Sequence, residues 1–295
     1  MTGPTRASVA GRAYLDLQNL GRREKRSTEE LLDAVNQVAA DEADGCAWWL
    51  YLAEDDVALL RPHLEHPEVW LMAGDAEIEL TGNTFDDYLD NVDVRIRKRI
   101  RRDRMLFARA GYHRDTQPLA VAYQQAGILI ANLERHHGNR ADPLNIAELL
   151  RAQAEDIGSE AYAHLCRTED GVAVGVGVSY TTAVQVVSRA CGFDYSQLRR
   201  AAEYFELAYY APIEQAYRIG ATQLLLGIGT YETKIRRGAR IRLRWALRSG
   251  AGSICQTATD VQKYNETRWR YLVEQEGLRP EAVLDRDRRG EYMAS

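Results

Sequence analysis

The sequence predicts a mixed α/β (α+β) fold, and three observations carry that prediction. Helical and strand-like hydrophobic periods alternate along the chain, as they do in layered α/β domains. Its 295 residues, 45% apolar and 27% charged, suffice for two domains or for one with an internal duplication. Between Cys191 and Gly238, a strand, a helix and a second apolar strand lead directly into Glu232, Lys234, Arg236 and Arg237. Open α/β sheets place their sites just past such strand ends.

Composition narrows the function classes. A net charge of -5 argues against general polyanion binding, so any nucleic-acid contact has to come from a local patch. Cys46, Cys166, Cys191 and Cys255 show no CxxC or CxH spacing and read as reduced thiols, with neither a disulfide framework nor a metal site. The N-terminal MTGPTRASVAGRA lacks the apolar core of a signal peptide, and runs such as Leu224–Leu226 are too short to span a bilayer. The expectation is a soluble cytoplasmic protein with no membrane association; its oligomeric state is left open.

Taken in order, residues 1 to 27 are polar, apart from a patch at Tyr14 to Leu17. Ser27-Thr28-Glu29-Glu30 then reads as a helix start, followed by the stripe Leu31, Leu32, Val35 and Val38. Ala47 to Ala53 is a buried strand, and Glu54-Asp55-Asp56 opens a short helix with Val57, Leu60 and Leu64 inward. Val69 to Met72 and Glu77 to Leu80 are two brief strands joined by Ala-Gly-Asp-Ala, the second with a solvated acidic face. Thr84 or Asp86 opens a helical region that holds the densest charge in the chain. From Arg95 to Arg104, seven of ten residues are Arg or Lys, and the only acid is Asp103. Val92, Ile96, Ile100 and Phe107 recur at near-helical intervals, so one stripe can bury while the cationic heads face outward. A solvated amphipathic face explains such a run, but the lack of interleaved acids equally suits a phosphate-binding surface.

Helices are expected over 117 to 137 and 145 to 157, with Gly138 as a natural stop. The adjacent His136 and His137 do not face the same way on a helix, which argues against a metal pair. Strands follow at Ala161 to Arg167, Val172 to Tyr180 and Val184 to Cys191, the first two joined by an Asp-Gly turn. Pro212 interrupts the next helical stretch, so the chain either kinks there or starts a new helix with Pro212 at its first position. Gly220 stops it before a strand over 223 to 228. Arg240, Arg242 and Arg244 then alternate with Ile241, Leu243 and Trp245, which is strand-like with one cationic face. A helix over 257 to 276 and a frayed, charged tail over 280 to 295 complete the chain.

Several short motifs occur together in order. They are Phe85-Asp86-Asp87-Tyr88-Leu89 leading into the basic helix and ending at Ala110-Gly111-Tyr112, then Gly192-Phe193-Asp194-Tyr195 and Tyr204-Phe205-Glu206-Leu207 with Tyr209-Tyr210. Ile213-Glu214 and Tyr231-Glu232-Thr233-Lys234 with Arg237-Gly238 follow. Over roughly residues 69 to 247 the chain thereby resembles the Fem-like and BioF2-like branch of the GNAT acyltransferase superfamily. The resemblance implies two GNAT-like lobes, the first degenerate and shortened, the second complete. The boundaries expected are 1–115 for the first lobe, ending in the basic helix, 116–250 for the second, and 251–295 for a C-terminal helix and tail.

The resemblance also implies amide formation by acyl transfer. The matching lysine of Fem-like enzymes lies at the active cleft, which selects Lys234. Lys234 and Arg237 can neutralise phosphate or a tetrahedral oxyanion, Glu232 can pair with Lys234 or hold the attacking amine, Tyr209 and Tyr210 can donate to the leaving oxygen, and Glu206 can accept a proton. Against these roles, aromatic residues at helical spacing also suit a core, and Glu206 can simply pair with Arg199 or Arg200. No nucleophile elbow or Cys–His pair is present, which favours direct attack by the amine. GNAT enzymes that use acetyl-CoA carry a Gln/Arg-x-x-Gly-x-Gly/Ala loop for the pyrophosphate. Here the matching interval, Gly192 to Ala202, has no second glycine. Several Fem-like members take their acyl group from aminoacyl-tRNA. That donor gives a purpose to the helix of 95–104, with Arg97, Lys98, Arg101 and Arg102, and to the strand of 236–248, with Arg236, Arg237, Arg240 and Arg242. The expectation is therefore an N-acyl or aminoacyl transferase with no bound cofactor. The alternatives are an acyl-CoA-dependent N-acetyltransferase, a carrier protein as the anionic partner, and an inactive GNAT-like module that binds RNA or protein.

Overall fold

The computed structural model describes residues 46–250, 258–284 and 292. The patch at Tyr14 to Leu17, the helix expected after Ser27 with its stripe to Val38, and Cys255 lie outside the described residues. In chain order the elements are β1 (Cys46–Leu52), α1 (Glu54–Leu60), β2 (Glu68–Glu79), α2 (Phe85–Asn91), α3 (Val94–Arg109), β3 (His113–Pro118), α4 (Leu119–His136) and α5 (Pro143–Ile157). The meander β4 (Ala161–Arg167), β5 (Ala173–Thr181) and β6 (Gln185–Phe193) follows. A crossover helix is made of α6 (Glu203–Phe205), a π-helical turn over Glu206–Tyr210 and α7 (Ala211–Ile219). Last come β7 (Gln223–Gly227), α8 (Tyr231–Ile235), β8 (Arg240–Gly250) and α9 (Ala258–Glu274). The fold is mixed α/β, as the alternating periods predict.

The chain forms two compact units, and each is discontinuous. Of the described residues, one takes those up to Asp75, Ile228–Glu232 and those from Ile241 on; the other takes Ala76–Gly227 and Thr233–Arg240. Position 115 thus falls inside the second unit and position 250 inside the first, so contiguous boundaries do not describe them.

In the first unit the strand order is β1-β8-β2, with β1 and β8 antiparallel. Where two brief strands are expected there is one, the 12-residue β2. Gly74 does not break it, because the Tyr231 hydroxyl satisfies the backbone on both sides: it accepts from the Gly74 N–H at 3.0 Å and donates to the Gly74 carbonyl at 2.8 Å. A Cβ on Gly74 would lie 2.5 Å from Ile241 Cγ2, so the glycine marks a close approach. The expected solvated acidic face is reduced to Glu79, which is exposed; Glu77 is buried, as is Asp75. Of the tail expected to fray over 280 to 295, residues 285–291 and 293–295 lie outside the described residues, and the rest is ordered. Pro280–Ala282 forms a 3₁₀ turn, the Leu284 N–H donates to the Ile241 carbonyl, and Tyr292 packs its ring 5.1 Å from Trp245.

In the second unit the order is β2-β7-β6-β5-β4-β3, antiparallel except for β6 and β7. Helices α4 and α5 cover the meander, and Leu119, Ala126, Leu129 and Leu150 pack on Ala163, Leu165, Val176 and Val178. Strand β3, HRDTQP, is unexpected because its half-exposed edge position leaves no apolar alternation to read. The helical region after Thr84 divides at Val92, and Asp93 caps α3 by accepting from the Arg95 N–H at 2.7 Å. The parallel pairing joins only Gln185–Val187 to Gln223–Leu225; β6 then continues along β5 to Phe193 while β7 ends at Gly227. These two strands therefore part beyond Val187 and Leu225. Of the two outcomes expected at Pro212, the structure is close to the second: α7 begins at Ala211 with Pro212 in its first turn. The wider π turn feeds directly into α7, and its Leu207 carbonyl lies where a Cβ on Gly177 would be, 2.2 Å away.

Candidate functional site

Helix α3 sorts its side chains by face. Ile100, Asp103 and Phe107 are buried; Arg95, Lys98, Arg99, Arg101 and Arg102 are exposed. Asp103, the only acid in the basic run, sits on the apolar stripe, where an unpaired carboxylate would be costly. It is paired twice. Its Oδ2 accepts from Arg237 Nη2 at 2.7 Å and from the Tyr210 hydroxyl at 2.7 Å. The Arg237 guanidinium also lies over the Phe205 ring, 3.1 Å from its centroid, and its backbone carbonyl accepts from the Tyr88 hydroxyl at 2.7 Å. Arg237 is 5% exposed, its guanidinium held by a carboxylate and a ring and its backbone by the Tyr88 hydroxyl.

A cavity of about 420 Å³ opens here, lined by Arg99, Arg102, Arg236 and Arg237 together with Asp103, Leu106, Phe205 and Thr233. Four guanidinium groups against one buried carboxylate make it an anion site in character. Burial, and then the acceptor Asp103, push the Tyr210 phenol above its ordinary pKa, so it stays protonated and steadies Asp103.

The structure thus brings together Tyr210, Arg102, Arg236 and Arg237 of the residues expected in the site. Lys234 is buried and its Nζ donates to the Gly227 carbonyl at 2.8 Å, at the end of β7. Tyr209 is buried against the Phe205 and Tyr204 rings, with centroids 5.8 and 5.7 Å away; burial raises its pKa, and its hydroxyl has only the Tyr204 hydroxyl beside it, without good hydrogen-bond geometry. Glu206 belongs to a separate ionic cluster and pairs with neither Arg199 nor Arg200. It meets Arg114 and, at 3.8 Å, Arg104, and both arginines also hold Glu214. Burial raises the Glu206 pKa against the pull of those arginines. In Glu214 burial acts the same way, but the arginines outweigh it and the pKa falls. Glu232 is exposed and bridges to Arg279 at 3.2 Å, so Arg279 is the cation it pairs with here. Arg97 is bound to Asp90, while Lys98, Arg101 and Arg240 face solvent and Arg242 is half-buried. The cationic face expected on β8 is exposed only at its start, at Arg240; Arg244 and, further along, Arg248 are buried beside Asp75 and Glu68.

Sequence reasoning missed Asp103, Arg99 and the Arg104–Glu206–Arg114–Glu214 cluster. A signal for Asp103 was available: it falls on the Ile96–Ile100–Phe107 stripe, where an acid calls for a partner. Nothing in the sequence marks Arg114.

The parted parallel strands, the crossover helix and the meander make a mixed α/β fold that solved structures share. The fold is similar to that of FemX, with a TM-score of 0.58 at 10% identity, over 85% of this chain and 79% of that one. It is similar as well to L-PGS from Bacillus licheniformis (TM-score 0.52, 11% identity, 77% of this chain and 73% of that one). A third likeness is to the C-terminal DUF2156 domain of an Agrobacterium fabrum protein assigned as a lysylphosphatidylglycerol synthetase (TM-score 0.51, 10% identity, 85% and 78%). No family model matches the sequence, and no curated protein does. At such identities the likeness is one of fold.

Proposed function

We propose that the protein is an amide-forming acyltransferase that takes an aminoacyl group from aminoacyl-tRNA and passes it to an amine on a small molecule or a carrier. The observation that carries this reading is the cavity of Arg99, Arg102, Arg236 and Arg237, with Arg237 fixed by Asp103, in a Fem-like fold. The amine nitrogen attacks the ester carbonyl carbon. The new C–N bond forms as the ester C–O bond breaks, and the proton lost by the amine is balanced by one gained on the departing oxygen. Preorganised cations stabilise the oxyanion between these events. Arg237 is held for that task, Lys234 stands at the end of β7, and the other arginines hold phosphate. No side-chain nucleophile enters.

The test compares donors. Charged tRNA and acetyl-CoA are offered with an amine acceptor, alongside tRNA titrations at two salt concentrations. Salt-sensitive tRNA binding, with no effect of CoA on thermal stability, supports the proposal; the reverse supports the acyl-CoA reading, and transfer only from a charged carrier protein supports that partner. Lys234→Met is expected to lower turnover by about a hundredfold or more and leave tRNA affinity within about threefold. A second reading, a catalytically silent module that binds RNA or protein, is favoured by one observation: Lys234 and Glu206 both have structural partners. It predicts no transfer from any donor. Among the described residues no helix is long and apolar enough to cross a membrane.

A further inference from the structure

The loop between β6 and the crossover helix closes around a single side chain, Glu203, which is 4% exposed. Its Oε1 accepts from the Arg199 N–H at 2.9 Å and from the Tyr112 hydroxyl at 2.9 Å, and its Oε2 accepts from the Ala201 N–H at 2.8 Å. The Arg199 N–H is shared with Tyr112 Oη at 2.8 Å. Two residues wrapping the carboxylate, Arg200 and Ala202, have φ of 56° and 64°, the left-handed region that residues bearing a Cβ avoid. The chain adopts that conformation twice within three residues, and the result is two amides converging on one carboxylate.

The position gives this arrangement its meaning. A loop that follows a parallel strand and opens a crossover helix is where α/β proteins bind phosphate, and they do so with free backbone amides. Converging amides form an anion cradle. Here the cradle already holds an anion, and that anion belongs to the protein. We infer that Glu203 is a specificity-determining residue: its carboxylate stands where a phosphate would bind and closes this loop to phosphorylated ligands, the pyrophosphate of CoA included. The inference stands on the loop's own geometry. It bears on which donor the fold admits and does not depend on whether acyl transfer takes place.

The experiment is hydrogen exchange on the full chain, read over residues 196 to 203, with inorganic pyrophosphate or CoA as the probe. In the unsubstituted protein neither probe changes exchange there. In Glu203→Ala the Arg199 and Ala201 amides exchange about tenfold faster or more, and pyrophosphate restores their protection saturably. Glu203→Gln keeps the shape without the charge and falls between the two; it decides the matter if the alanine variant does not fold. Protection of this segment by either probe in the unsubstituted protein overturns the inference. So does a foldable variant whose amides gain no protection from pyrophosphate. Pyrophosphate bound at the arginine cavity would protect α3 instead and would weaken in Arg102→Ala. The two sites are therefore read separately, and a failure to transfer acyl groups leaves the Glu203 result unaffected.

Discussion

Helix α3 and strand β8 are both rich in arginine and carry it to opposite ends of the exposure scale. On α3 the cationic heads of Arg95, Lys98, Arg99, Arg101 and Arg102 face solvent. On β8, Arg244 is 2% exposed and Arg248 is 3% exposed, and they lie 3.0 Å and 3.5 Å from Asp75 and Glu68. A helix that buries one stripe turns its remaining positions outward. A strand has only two faces, and from Leu243 to Ser249 both faces of β8 are covered, since Trp245 and Leu247 are buried as well. Arginine cannot shed its charge, so each buried one needs a carboxylate. A run of cations is therefore a binding surface only where the element leaves it a free face.

The comparison can be broken at its buried end first. Arg244→Ala leaves Asp75 without this partner in the interior and is expected to cost about 3–5 kcal/mol, measured by urea unfolding. A loss under about 1 kcal/mol would mean that the pair behaves as if solvated. Histidine offers a sharper contrast, because it can discharge. His164 is fully buried between Thr116 Oγ1 at 3.0 Å and Ser179 Oγ at 2.8 Å, and burial, with help from Arg114 and Arg218, pushes its pKa down to about 3. The unfolded chain, with an ordinary value near 6.5, binds the proton that the folded protein refuses. Stability from this group is full above about pH 6.5 and declines as pH falls toward about 3, by about 2 kcal/mol at pH 5. His164→Gln should remove that slope; a slope that persists would assign it to other groups. The smallest effect is expected on α3, where Arg99→Ala or Arg102→Ala should change stability by no more than about 0.5 kcal/mol. Each should also reduce the slope of log affinity for tRNA against log salt by about one. Unchanged slopes would show that this face meets no phosphate.

Much of the fold was legible before any coordinates. The meander over 161 to 193 follows from alternation and from the Asp-Gly turn, and α3 follows from its single apolar stripe. The site was legible by half. Arg102, Arg236, Arg237 and Tyr210 were nameable, but Asp103, which joins two of them, stood out only as the one acid of the basic run. Glu206 and Glu232 read as acids available to chemistry, yet each has a cation beside it drawn from a distant part of the sequence.

The sequence by itself determined what is local: the periods that make helices and strands, the cap at Thr84, the glycine stop at Gly220, and the sign of the charge on α3. Tertiary structure alone decided which charges meet. The Asp103–Arg237 pair spans 134 residues and the Arg244–Asp75 pair spans 169, and no periodic signal reaches that far. Periodicity records which side of an element is buried, whereas the partner on the other side of that burial is chosen only when the elements pack.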